Sequence, residues 1–127
     1  MYIMEVLGRI FLSALFLFNG IAKILHYEGT IEYMENFGVP GYLIIPAIII
    51  EILFPILLII GYKTRLSAIM LASFTILLAV IFHTDFSNQV QLTQFLKNFA
   101  IAGGFIIIFV YGPDKYSIDY MLKSKQK

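Results

Sequence analysis

The chain has 127 residues, 60% of them hydrophobic and only 13% charged, with a mean hydropathy of +0.87. A soluble domain of this length exposes too much surface to keep such a composition dispersed, so membrane residence is the economical reading. A net charge of +1 lacks the concentrated basic face that phosphate backbones require, and nucleic acid is excluded as an expected partner.

Four apolar segments reach the roughly 20-residue length of a spanning helix. The first runs from about Met4 to Leu25. Glu5 precedes Arg9 and no small-x-small cleavage site follows, so this segment is expected to be a mature span and not a signal peptide. The stretch His26 to Phe37 places Ile31, Met34 and Phe37 opposite Glu28, Glu32 and Glu35, which predicts a short amphipathic helix lying at the interface. Gly38, Pro40 and Gly41 then turn the chain.

The second span covers about Leu43 to Gly61. The tight connection Gly61 to Arg65 makes the second and third helices antiparallel neighbours. The third covers about Leu66 to His83 and the fourth about Phe95 to Tyr111, where Gly112 and Pro113 stop the helix. Each run is too long for a buried strand and lacks strand alternation. The fold class is all-α: a single polytopic membrane four-helix bundle over residues 1–127, with one interfacial helix between the first two spans.

Four spans put both termini and the Lys63/Arg65 loop on one face. That face collects Arg9, Lys63, Arg65, Lys115, Lys123, Lys125 and Lys127, against Lys23 and Lys97 on the other. Seven against two predicts cytoplasmic termini.

Glu51 sits eight residues into the second span, about 12 Å down the helix at ~1.5 Å per residue. A lone carboxylate at that depth costs at least ~3 kcal/mol, so it must be paired, hydrated or protonated. Asn19 and Lys23, one turn apart on the first helix, share its depth; so do His83, closing the third helix, and Lys97 with Asn98 in the fourth. Glu51, Lys23, Asn19, His83, Lys97 and Asn98 form the candidate polar cluster. One reading makes it an outward-facing ligand pocket with Glu51 as proton acceptor or anchor. The other makes it interhelical glue.

Pro55 withdraws a donor from the Glu51 carbonyl, which frees an acceptor beside the carboxylate or simply kinks the helix. Arg9 lies on the stripe Arg9, Ser13, Phe16, Gly20, Lys23, and snorkelling to headgroups accounts for it. Gly103 and Gly104 suit a close helix contact. Without cysteine, thiol–disulfide chemistry, iron–sulfur clusters and thioether-linked haem are ruled out. His26 and His83 alone make no haem signature, and no flavin or metal motif is present.

The segments "RIFLSALFLFNGIAKI" (9–24), "TIEYMENFGVP" (30–40), "GYKTRLSA" (61–68), "FTILLAVIFH" (74–83), "FLKNFAIAGG" (95–104) and "GPDKYSID" (112–119), with Glu51 between them, resemble the DoxX family of small four-helix bacterial membrane proteins, near its inner-membrane branch. Lys23, Glu51, His83, Lys97 and Asn98 match the family's typical polar positions. The resemblance implies a multi-pass protein of the bacterial inner membrane. Members include a subunit of a membrane thiosulfate:quinone oxidoreductase, and others are linked with quinone stress and oxidant detoxification.

Three functions follow as expectations. The first is a component of a redox or stress-defence system that binds a quinone as its ligand. The second is a non-catalytic anchoring subunit of a membrane oxidoreductase, and the third a proton-coupled small-molecule exporter. Any enzymatic part is that of an accessory to a quinone-linked oxidoreductase. Besides the lipid bilayer, the partner is such an oxidoreductase or a second copy of the chain.

Overall fold

A computed structural model describes residues 2–113 and 117–125. Four long helices, α1 (Tyr2–Leu25), α3 (Ile44–Ile60), α4 (Thr64–Phe82) and α5 (Gln89–Tyr111), are long and apolar enough to cross a membrane. The amphipathic α2 (Tyr27–Asn36) follows α1, and a single 3-10 turn, Gly41–Leu43, leads into α3. The bundle closes in the order α1, α3, α4, α5; α1 and α5 touch only sparsely. Large apolar side chains such as Phe11, Phe18, Ile49, Leu77 and Ile107 cover its outside. In water such a surface would be an aggregation hazard; against acyl chains it is the required exterior.

The core lies where small residues let helices approach. On α1 the buried positions are Arg9, Ser13, Phe16 and Gly20, the helical stripe anticipated from the sequence. α4 buries Thr64, Ser67, Ala68, Leu71, Ala72, Thr75 and Ala79, a ridge of mostly small side chains. Phe16 and Phe105 meet edge to face at 5.5 Å in the middle of the bundle. Of the two glycines expected to permit close contact, only Gly104 does so, with Leu12 Cδ1 3.2 Å from where a Cβ would stand; nothing lies within 4 Å of that point at Gly103. Gly20 makes the tighter approach, because its Cβ would come within 2.8 Å of Ile52 Cγ1.

Two boundaries depart from the sequence reading. α5 begins at Gln89, not Phe95, because the Asn88 side chain accepts from Val90 N–H at 2.9 Å and caps it. A sixth helix, α6 (Ile118–Lys125), follows the last span. It folds back onto the α3–α4 turn. There Gly61, at φ +76°, closes α3 with the paired bonds Gly61 N–H to Leu58 O and Tyr62 N–H to Leu57 O.

Lys63 also adopts a left-handed conformation, with φ +52°, which is unfavourable for a side chain of its size. Asp119 offsets that strain by accepting from Lys63 N–H at 2.8 Å and Thr64 N–H at 2.7 Å, capping α4 across the turn. Asp119 N–H in turn donates to Gly61 O at 2.9 Å. Lys115 and Lys127, counted in the charge asymmetry, lie outside the described residues.

Arg9 does not snorkel. It is 3% exposed and donates through Nη1 to Leu58 O at 2.9 Å and Ile59 O at 3.0 Å. These carbonyls lie in the last turn of α3, and a buried cation at a helix C-terminus completes their bonding.

Candidate functional site

Away from the chain termini, α1 and α5 diverge and leave a cavity of about 580 Å³. α2 covers it. Tyr33 stacks on Phe82 at 5.5 Å and Phe37 meets the same ring at 5.1 Å, so the aromatic cluster fastens α2 to the end of α4. Tyr33 and Met34 thereby face the cavity. Its polar wall comes from every long helix except α3, whose contribution, Ala47, is apolar.

Five of the six predicted residues line this one space: Asn19 and Lys23 from α1, His83 at the end of α4, and Lys97 and Asn98 from α5. The sixth stands behind the wall. Glu51 is 1% exposed and holds Lys23 Nζ with both carboxylate oxygens, at 2.9 Å (Oε1) and 2.8 Å (Oε2). The geometry follows from the local sequence. Gly20, one turn before Lys23, brings α1 against Glu51 Cβ, and the long lysine stem then reaches the carboxylate. Lys23 itself keeps 21% of its side chain exposed. A carboxylate and an ammonium in bidentate contact satisfy each other where neither could remain alone.

The remaining members bond weakly or locally. His83 Nδ1 and Gln91 Oε1 lie 3.1 Å apart, within hydrogen-bonding distance. Asn98 Nδ2 makes a long contact of 3.5 Å to Thr75 O, while Thr75 Oγ1 donates to Leu71 O at 2.6 Å. Among the described residues, Asn19 and Lys97 have no side-chain hydrogen bond or ion pair. Below the polar groups the wall turns apolar, with Leu15, Phe16, Phe74, Leu78 and Ile101.

Sequence reasoning left out three contributors to the cluster. His26 was weighed only as a haem ligand, yet it lines the same cavity, as do Thr30 and Gln94. Gln94 lies three and four residues before Lys97 and Asn98. That spacing puts all three on one face of a helix that has already begun at Gln89. Recognising Asn88 as a cap would have revealed it. Among the described residues no group of three His, Asp or Glu side chains is arranged to hold a metal.

The family model described as DoxX matches residues 5–84, which take in α1 to α4. The chain is 40% identical over 118 residues to the inner membrane protein YqjF of Escherichia coli K12, covering 93% of this chain and 91% of that protein. It is 30% identical over 124 residues to the inner membrane protein YphA of the same organism, covering 92% and 89%. No solved structure gives a significant match.

Proposed function

This chain belongs to the DoxX family of membrane-integral proteins, and on that premise we propose that it is the ligand-binding component of a redox or oxidant-defence system, holding a quinone-like molecule in the cavity between α1, α4 and α5. One observation carries the reading. The cavity joins a rim of hydrogen-bond donors to an apolar, partly aromatic floor, the pairing that small-molecule sites share. Quinone carbonyls need donors, which Asn19, Asn98 and Lys97 supply, and the ring packs against Phe16 and Phe74.

The charge distribution supports an orientation. Among the described residues Arg9, Lys63, Arg65, Lys123 and Lys125 gather at the terminal end, with Lys23 and Lys97 at the cavity end. This favours cytoplasmic termini and a cavity facing the opposite side of the membrane.

A second reading, an anchoring subunit without a ligand, draws on the Lys23–Glu51 pair, which joins α1 to α3 as an interhelical clasp. An exporter driven by Glu51 would need that carboxylate to exchange protons with the cavity, and Lys23 stands between them.

Titration of detergent-purified protein with menadione, followed by tyrosine fluorescence quenching and native mass spectrometry, tests the ligand reading. Asn19→Leu and Asn98→Leu alter the wall without touching the ion pair. Each is expected to weaken binding roughly tenfold, the worth of about one well-made hydrogen bond, with melting temperature preserved. Wild-type protein that stays folded and binds no quinone would favour the anchoring subunit.

A further inference from the structure

We propose that the cavity selects an amphipathic anion, a molecule with one negative charge on an apolar body, and that Lys97 is the residue that holds the charge. The inference rests on the cavity being a ligand site and adds the charge of what it takes.

Two lysines line the space, and they are not equivalent. Lys23 is already neutralised by Glu51, which reaches it from behind the wall with both oxygens. Lys97 is exposed at the cavity and has no hydrogen bond or ion pair among the described residues. The carboxylates at this end of the bundle do not answer it: Asp85, nearest in sequence, accepts from Ser87 Oγ and pairs with no lysine among the described residues. Glu28, Glu32 and Glu35 line a separate depression on α2, and no Asp or Glu is among the residues lining the cavity. Counting lysines and carboxylates, the lining and its one sealed counter-charge sum to one uncompensated positive charge.

Position sharpens the point. Lys97 is the ninth residue of α5, a helix apolar enough to span the bilayer. An ammonium within a spanning segment is expensive unless it finds a partner, and attraction between charges grows as water is excluded. The protein supplies a dedicated carboxylate for one lysine and none for the other, so the missing negative charge is assigned to the ligand. The floor of Phe16, Phe74 and Ile101 accepts its apolar part. A neutral quinone would fill the space yet leave Lys97 unanswered.

The test compares anthraquinone carboxylate with hydroxymethyl anthraquinone, which share a ring and differ in charge. Binding is measured on the full chain in phosphatidylcholine nanodiscs. The carboxylate is expected to bind at least about tenfold more tightly, in keeping with one ion pair at partial burial. Lys97→Met should erase that preference, while Lys125→Met, at the far end of the molecule, should leave it intact. Added phosphatidylglycerol that competes, and does so only when Lys97 is present, identifies the anion as a bilayer lipid; carboxylate binding indifferent to that lipid identifies a solute.

Equal affinity for the two compounds, or a preference that survives Lys97→Met, overturns the assignment and leaves the quinone-like reading standing. Failure of both compounds and of menadione to bind removes the ligand reading itself.

Discussion

The two ends of the bundle use their charged side chains in different ways. At the terminal end the charged side chains go to the backbone, while the buried hydroxyls of Thr64 and Ser67 have no hydrogen-bond partner among the described residues. Arg9 closes the carbonyls of α3, Asp119 closes the amides of α4, and Ser117 packs fully buried against Gly61. At the other end Lys23 and Glu51 are occupied with each other, while Asn19 and Lys97 bond to nothing among the described residues. Fold maintenance accounts for the first set and for the ion pair, and does not require Asn19 or Lys97. A polar group that lines a cavity and answers no other protein group is the better candidate for answering a ligand.

The largest effect should come from the ion pair. Glu51→Gln leaves Lys23 facing a neutral amide at a buried position, and Lys23→Met leaves Glu51 without its cation. Each is expected to cost about 3–5 kcal/mol, the usual penalty for stranding half of a buried pair. The double variant Lys23→Met/Glu51→Leu should recover most of that loss. Thermal unfolding in detergent, followed by circular dichroism, measures all three. Additive losses in the double variant would show that the two residues do not act as a pair.

An intermediate effect is expected at the terminal end. Gly61→Ala forces a side chain into a left-handed backbone and into Ser117, at a cost of roughly 2 kcal/mol from strain and displacement of α6. The contrast between the ends becomes sharp if menadione binding is measured beside stability. The variant should melt earlier and bind as before, whereas a parallel loss of binding would mean the two ends are coupled. The smallest effect should follow Asn88→Ala, about 1 kcal/mol for a lost helix cap, with fraying confined to the first turn of α5. Faster amide hydrogen exchange at residues 89–92 would register it, and unchanged exchange there would argue against the cap.

Much of this architecture is visible in the amino-acid order, for physical reasons that also mark where the visibility ends. Spans are legible because lipid requires long uninterrupted apolar runs, and Gly61 and Gly112 mark two of their ends. The start of α5 is not, since "QVQLTQ" is too polar to register by hydropathy and only the asparagine before it reveals the helix. α6 is short and amphipathic, and its anchoring bonds reach back 55 and 56 residues from Asp119.

The candidate cluster could be assembled by depth alone, since distance along a helix translates directly into depth. Depth does not fix the angle around each helix axis, so it does not choose among Asn19, Lys23, His83, Lys97 and Asn98 as partners of Glu51. Packing at Gly20 decides among them. Arg9 was misread because its partners are carbonyls of the main chain, which no side-chain pattern reveals.

The clasp between Asp119 and the α3–α4 turn has a consequence for assembly. Lys63 is held in its unfavourable conformation by a carboxylate that leaves the ribosome 56 residues later. The α3–α4 hairpin must therefore enter the bilayer with its turn unsecured, and α5 must cross before the fastening arrives. Asp119 acts as a late latch, and a chain halted just short of it would contain all four spans and still lack the bond that locks the central pair together.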